Sequence, residues 1–201
     1  MRRMKIIMFL TLGLFAFLLI RATTAWAQQA QTPQYGKSPE RTITANPSAN
    51  NPVKGVDETD QKFMKDAAIG DEAEVQLGQM AQTHASNPAV KSFGQRMMKD
   101  HSDSDDKLKA IAQSQHISLP TELDPKHKNQ AAGLSRLSGS QFDRAYMQLM
   151  VQEHTQDVNK FRTEAANAHD DSVKQFAVAT LPVLESHLKE AQQVAQQVKN
   201  Q

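Results

Sequence analysis

The sequence predicts an all-α protein, a four-helix bundle with one long connection in its middle. From about residue 59 to the C-terminus, apolar residues recur at spacings of three and four, the period of a helix that buries one face. Strand-like alternation of apolar and polar residues and glycine-rich hairpin signals are missing from this region of the sequence. The helical pattern is interrupted three times, and the middle interruption is much the longest.

The N-terminal segment, residues 1–27, has the features of a secretory signal peptide. Three of the first five residues are basic, residues 6–20 carry no charge, and Ala25-Trp26-Ala27 offers a small-residue cleavage site. A membrane-spanning helix needs about 20 apolar residues, and this run is shorter. We therefore predict cleavage after Ala27, a periplasmic or secreted location, and no stable membrane span after cleavage. An uncleaved N-terminal anchor is the alternative.

Removal of residues 1–27 changes the charge of the protein. Four basic residues and no acidic one leave with this segment, so 19 basic residues face 22 acidic ones and the formal net charge goes from +1 to −3. The mature part has no basic run interleaved with aromatic residues, which makes nucleic acid an unexpected partner. The chain has no cysteine, which excludes disulfides and thiolate metal ligands.

Residues 28–56 are predicted to be a disordered leader. The segment is polar, holds four prolines and has almost no large apolar side chains. It would bury too little surface to offset its ordering entropy, so we expect it to act as a spacer. A partner-binding arm is the alternative. The bundle domain is predicted over residues 57–201.

Four helices follow the leader, at about 59–85, 88–115, 140–168 and 171–198. The second begins where Asn87 supplies an N-cap and Pro88 occupies the first helical position. The third begins with a sequence that resembles a capping box, Ser140-Gln141-Phe142-Asp143. Asp170-Asp171 caps the fourth.

The connection between the second and third helices, about 116–139, decides between two topologies. Ferritin-like bundles have a single long crossover at this place in the chain, whereas simple up-and-down bundles have short turns throughout. Twenty-four extended residues reach ~80 Å, against ~40 Å for a helix of this length. The reach allows the crossover without requiring it. We predict a ferritin-like bundle, with an up-down-up-down bundle as the alternative.

Each predicted helix brings one polar side chain to about the middle of its apolar stripe: Glu74, His101, His154 and His187. Antiparallel helices of similar length place their midpoints at similar heights, so we expect these groups to meet in the core. Metal sites of helical bundles are built in this way. The alternative is a metal-free network, since a single histidine on an apolar face is more often a hydrogen-bonded core residue than a ligand.

Four more carboxylates lie close to these histidines in sequence. Asp105 and Asp157 each follow the histidine of their own helix by about one turn, so they are further metal-site candidates, as ligands or as groups that orient the rings. Asp100 and Glu153 directly precede the same histidines. Sequence neighbours point about 100° apart around a helix, so we expect these two to face an adjacent helix or solvent.

A short repeat bears on the identity of the metal. The segment from Met97 to His101 returns, with conservative changes, as the segment from Met150 to His154. In both copies a methionine shares a helix face with the histidine, and thioether plus imidazole suits copper, although such methionines are more often core residues. Di-iron bundles use Glu-x-x-His pairs, which this sequence lacks. Iron, zinc and copper are the candidate cofactors, and a standard di-iron centre is disfavoured.

Catalytic motifs are missing from the sequence: we find no nucleophile elbow, phosphate-binding loop or dinucleotide fingerprint. A non-enzymatic binding role in metal handling or envelope stress defence is therefore favoured. The alternative is a metal-free structural or interaction module of the cell envelope, whose partner would be another protein or a second copy of the chain.

Several segments between about 59 and 198 match a known family. They are Phe63 with Ala67-Ala68, Gly70 and Glu74, Val90-Lys91 with Phe93, Met98-Lys99-Asp100-His101, Phe142-Asp143-Arg144-Ala145-Tyr146, Met150-Val151-Gln152-Glu153-His154, and Leu181-Pro182 with His187. In these residues the chain resembles bacterial secreted or periplasmic proteins known only as a domain of unknown function with a ferritin-like fold. The resemblance implies a signal peptide and a ferritin-like bundle, and it implies no established activity.

Overall fold

The computed structural model describes residues 56–199, so the predicted signal peptide and nearly all of the predicted leader lie outside the described residues. The described part is all-helical and consists of α1 (Glu58–His84), α2 (Pro88–Ser114), α3 (Pro125–Leu134), α4 (Gly139–Asn167) and α5 (Asp171–Val198). The all-α prediction is confirmed, and the four long helices begin and end within one residue of the predicted positions. None of the helices in residues 56–199 is long and apolar enough to cross a membrane.

The four long helices form a ferritin-like bundle. The hairpins α1–α2 and α4–α5 pack together, with α2 against α5 and α1 against α4. One hydrophobic cluster joins the start of α2, the start of α4, the end of α1 and the end of α5, and a second cluster joins the opposite halves. It follows that α2 and α4 run parallel and that the chain between them crosses the length of the bundle. This is the predicted crossover.

The helix α3 lies inside the long connection and was not predicted. Its N-cap is Asp124, whose side chain accepts a hydrogen bond of 2.8 Å from a backbone N–H of the first turn. Glu153 of α4 ties it to the bundle by accepting hydrogen bonds from Lys126 (2.6 Å) and Gln130 (2.8 Å). Leu134 is its buried residue. An element this short and this polar shows no apolar stripe in the sequence.

One buried aspartate on each hairpin holds the turn of the other hairpin. Asp60 of α1 accepts hydrogen bonds from the backbone N–H groups of residues 169–170, at 3.0 and 2.7 Å. Asp143 of α4 does the same for residues 86–87, at 3.1 and 3.0 Å. The interval in sequence from Asp60 to Asp143 equals the interval from the first turn to the second. The hairpins are therefore copies of one structural unit packed around a pseudo-twofold axis.

The hairpin α1–α2 is packed more closely at Gly78 than at Gly70. A Cβ atom added at Gly78 would lie 2.5 Å from the backbone oxygen of Gly94, whereas one added at Gly70 would meet no heavy atom within 4 Å. Gly70→Ala is expected to stabilise the protein by about 0.5–1 kcal/mol, because alanine favours the helix. Gly78→Ala is expected to destabilise it by about 1–3 kcal/mol, because the two backbones must separate. Urea unfolding measures both, and equal effects would contradict the close approach.

Candidate metal centre

A buried layer of polar side chains lies between the two hydrophobic clusters, near the middle of the four long helices. Its members are Asp71, Glu74, His101, Ser104, His154 and His187. Buried polar groups are normally satisfied by hydrogen bonds, by water or by an ion, and they destabilise the fold when they are not. The layer is thus the part of the core that most needs an explanation other than packing.

Three histidines from three different helices meet in this layer. The ring centroids of His101 (α2) and His154 (α4) are 5.7 Å apart, and that of His187 (α5) is 5.5 Å from the first and 5.3 Å from the second. One ring nitrogen of each lies within 4.8 Å of the corresponding atoms of the other two. Because α2 and α4 run parallel, His101 and His154 lie at matching depths.

Carboxylates fix the orientation of two of the rings. Nδ1 of His101 donates a hydrogen bond of 2.7 Å to Oδ1 of Asp71 on α1. Nε2 of His187 donates one of 2.9 Å to Oδ2 of Asp100 on α2. Metal-ligating histidines are characteristically held in this way, by a carboxylate that accepts from the nitrogen that does not bind the metal.

The third ring is held by the backbone. Nδ1 of His154 donates a hydrogen bond of 2.9 Å to the carbonyl oxygen of Met150, one turn earlier on α4. Each ring therefore has one nitrogen engaged and one buried nitrogen without a partner in residues 56–199. The unpartnered atoms are His101 Nε2, His154 Nε2 and His187 Nδ1.

The electrostatics of the layer leave two histidines neutral and one protonated at neutral pH. Burial lowers the pKa of His154 to about 3 and, against the opposing hydrogen bond to Asp100, that of His187 to about 4. Burial also acts to lower the pKa of His101, but the hydrogen bond to Asp71 and its charge outweigh burial and raise that pKa to about 9. A metal ion at the three nitrogens would have to displace the His101 proton.

Glu74 of α1 borders the three histidines. Its Oε1 lies 3.9 Å from Nδ1 of His154, and its Oε2 has no partner in the part of the chain that the structure describes. Burial raises the pKa of Glu74 to about 8, although the charge of His101 opposes the rise, so this side chain is neutral at pH 7. The structure therefore places Glu74 beside the three-nitrogen group, next to the nitrogen of His154 that is already engaged.

A family model described as "Domain of unknown function (DUF4142)" matches residues 45–194, about three quarters of the chain. The chain belongs to the DUF4142 family. The predicted resemblance to a family of unknown function is confirmed. No curated protein matches the sequence.

Solved structures of other proteins share the fold of this DUF4142 protein. A DUF305 fragment from Deinococcus radiodurans matches with a TM-score of 0.64 and 14% identity, over 71% of this chain and 99% of that one. A DUF305 protein from Streptomyces coelicolor, described as secreted, matches with a TM-score of 0.61 and 13% identity, over 70% and 92%. CopM in the Cu(II)-bound form matches with a TM-score of 0.59 and 17% identity, over 69% and 96%.

Asp105 and Asp157 lie outside the group of three histidines in this DUF4142 protein. Asp105 forms an ion pair with Lys109 at 2.5 Å, and Asp157 forms one with Lys160 at 3.2 Å, each within its own helix. Neither contributes an atom to the three-nitrogen group. A spacing of about one turn places each aspartate on the same side of its helix as the histidine, but each short side chain pairs with a lysine toward the surface.

Two carboxylates that hold the rings were not predicted in that role. Asp71 precedes Glu74 by three residues on the same face of α1, and this spacing is the sequence signal that identifies it. Asp100 faces α5, in line with the expectation that it faces an adjacent helix, and there it holds His187 while accepting a hydrogen bond of 3.2 Å from Nε of Arg96. Asp100 thus holds a histidine of the site although it lies on a different face of α2 from His101, its neighbour in sequence.

The two repeated methionines, Met97 and Met150, are fully buried members of the hydrophobic cluster that adjoins the polar layer. They belong to the same cluster as Phe93, Phe142 and Tyr146, at one end of the bundle. Packing accounts for their helical spacing.

Proposed function

We propose that this DUF4142 protein binds one transition-metal ion through His101 Nε2, His154 Nε2 and His187 Nδ1, with copper the foremost candidate, and that it serves metal handling in the cell envelope. One observation carries the proposal: three buried histidines each bring a ring nitrogen within 4.8 Å of the other two, and each has one ring nitrogen without a hydrogen-bond partner among the described residues. Nitrogen ligands bind Zn²⁺ at ~2.0–2.1 Å, so modest inward movements of the rings would bring all three into contact with one ion.

The surroundings of the three nitrogens fit a ligand set. Asp71 and Asp100 accept from the opposite nitrogens of His101 and His187, which fixes the rings and makes them better electron donors toward a metal. Glu74 lies beside His154 and, once deprotonated, offers a negative charge near the positive ion. We assign binding rather than catalysis to the site, since this sequence holds no recognised catalytic motif.

The donor set favours a borderline metal. Imidazole suits copper, zinc, iron and nickel, and Cu²⁺ is bound most tightly in the divalent series. The fold match to CopM, solved in the Cu(II)-bound form and in an Ag-bound form, supports placing copper first. Export is supported by the predicted signal peptide and by the fold match to a secreted protein of Streptomyces coelicolor.

The proposal is tested by elemental analysis of untagged protein purified from the periplasm, followed by titration with Cu⁺, Cu²⁺, Zn²⁺ and Fe²⁺. We expect about one equivalent of metal in the wild type and a clear loss in His101→Ala/His154→Ala. His84→Ala/His127→Ala removes two histidines outside the layer and is the matched control, with wild-type stoichiometry expected. Substoichiometric metal in all three proteins, after titration as well as before, would contradict the proposal.

A metal-free interaction module is the second candidate, and one observation favours it: each ring already has a carboxylate or carbonyl partner. The three histidines would then only specify how the core packs. Thermal melting separates the two functions. A metal at 100 times its Kd stabilises the folded state by about 2.7 kcal/mol, whereas the module predicts an unchanged Tm with every metal.

A further inference from the structure

A second group of ionisable side chains lies at the end of the bundle where α1 begins and α4 turns into α5. Nδ1 of His169 is 2.5 Å from Oδ2 of Asp57 and 3.8 Å from Oδ1 of Asp60. One ligand atom of each of these three residues lies within 4.8 Å of the other two. The carboxyl group of Glu164 contacts that of Asp60 from α4. Three carboxyl groups and one imidazole thus converge on a small volume.

Asp60 supplies the observation that points to a ligand. Its side chain is only 1% exposed, and Oδ2 accepts the two backbone hydrogen bonds from the α4–α5 turn. The other oxygen, Oδ1, faces His169 and accepts no hydrogen bond from an N–H group of any residue that the structure describes. The same holds for Oε1 of Glu164, which is 7% exposed. The carboxyl groups of Asp60 and Glu164 share a proton through a hydrogen bond, and a cation bound between them would take the place of that proton.

The repeated hairpin provides an internal comparison for this group. At the opposite end of the bundle, Asp143 holds the α1–α2 turn as Asp60 holds the α4–α5 turn. The same sequence interval that relates Asp60 to Asp143 relates each of the other three members to an uncharged residue. Asp57 corresponds to Ser140, Glu164 to Ala81 and His169 to Ser86. Holding a turn therefore does not require Glu164, and the position of His169 can be filled by an uncharged donor, because Ser86 donates its hydroxyl to Asp143. The additional ionisable groups need a different explanation.

We propose that Asp57, Asp60, Glu164 and His169 form a second cation site, specific for a divalent ion that accepts mixed oxygen and nitrogen ligands, such as Mn²⁺ or Zn²⁺. Carboxylate oxygens suit Mn²⁺, and Zn²⁺ accepts both carboxylate and imidazole. The side chain of His169 is 66% exposed, so the ion reaches the buried oxygens from solvent. Glu164 follows His154 by ten residues on α4, about 15 Å along the axis, which separates this site from the three histidines.

The test uses the folded mature chain and Mn²⁺, whose paramagnetism broadens the NMR signals of nearby amides. We expect saturable broadening confined to residues around 57–60 and 164–170. Glu164→Gln/His169→Ala keeps the turn contacts of Asp60 and is expected to raise the Kd for Mn²⁺ about tenfold or more. Glu122→Gln/His127→Ala removes the same two group types from the long connection and is expected to bind as the wild type does.

This result is independent of the three-histidine site, because His101→Ala/His154→Ala is expected to keep its Mn²⁺ affinity at residues 57–60 and 164–170. Two outcomes would overturn the second site. One is broadening that is spread evenly over exposed acidic residues of the wild type. This outcome is measured on the wild type alone and does not depend on whether a variant folds. The other is an unchanged Kd in Glu164→Gln/His169→Ala with a wild-type circular dichroism spectrum, which would leave the group as a structural ion-pair cluster.

Discussion

Replacement of Asp143 with alanine is expected to lower the free energy of unfolding by about 3–5 kcal/mol. The side chain is completely buried and accepts hydrogen bonds from the backbone N–H groups of Ser86 (3.1 Å) and Asn87 (3.0 Å) and from the hydroxyl of Ser86. Each hydrogen bond to a charged group contributes about 1.5–3 kcal/mol, and loss of the acceptor leaves partly buried donors to find new partners. The hairpins would also lose a link that joins them at this end.

Urea unfolding followed by circular dichroism measures the effect. Asp103→Ala is the matched control, because that carboxylate is exposed and pairs with Lys99 on the surface, so a change within about 0.5 kcal/mol is expected. Asp143→Asn keeps one acceptor oxygen and should fall between the two. If Asp143→Ala unfolds at the same urea concentration as Asp103→Ala, the turn does not depend on this carboxylate.

The four long helices followed from the sequence because their determinants are local. The 3.6-residue period marked the four long helices, and Asn87 with Pro88 and Asp170 with Asp171 placed two of their starts. The length of the middle connection indicated the crossover, but its reach allows both topologies and could not choose between them. The packing of α2 against α5 and of α1 against α4 made the choice, and it depends on contacts between distant segments.

The relation between the two hairpins was not visible in any short stretch of the sequence. Asp60 and Asp143 each act on a turn of the other hairpin, so no local window connects either aspartate to its partners. Only a comparison of the chain with itself, shifted by the interval from Asp60 to Asp143, aligns the aspartates and both turns. The repeat noticed in the sequence, from Met97 to His101 and from Met150 to His154, instead relates two parallel helices across the bundle core.

The sequence predicted that three histidines would meet in the core, but it did not predict which groups hold their rings. Helical spacing identified His101, His154 and His187 because it reports which face is buried. Spacing does not report which ring nitrogen is engaged, and that depends on Asp71 from another helix and on the carbonyl of Met150. Carboxylates near a histidine in sequence were therefore poor guides, and carboxylates from the facing helix hold two of the three rings.

The metal-free protein is expected to become less stable as the pH rises from 6.5 to 9. The pKa of His101 is about 9 in the folded protein and ordinarily 6.5, so its stabilising proton is fully present below pH 6.5 and is lost as the pH rises through 9. The pKa of Glu74 is also raised, to about 8 from an ordinary 4.5, so this group too lowers the stability of the folded protein as the pH rises to about 8. His154 and His187 have lowered pKa values and reduce stability only below pH 6.5.

The expected loss is about 3 kcal/mol from His101 alone, because one pKa unit corresponds to about 1.4 kcal/mol. Bound metal should reverse the trend. The ion binds the nitrogen that loses its proton, so its affinity and the rise in Tm that it produces should increase over the same pH range. A polar network without a metal site predicts the first trend and not the second, which makes the comparison decisive for the proposed function.

Unfolding in urea at pH 6.5, 7.5 and 9, with and without Cu²⁺, tests both trends. Asp71→Asn is the informative variant, because it removes the carboxylate that raises the pKa of His101 and should flatten the pH dependence of the metal-free protein. Stability that stays constant from pH 6.5 to 9 in the wild type would show that His101 is not held as a cation by Asp71. The metal would then have no proton to displace, and its affinity should not change with pH in this range.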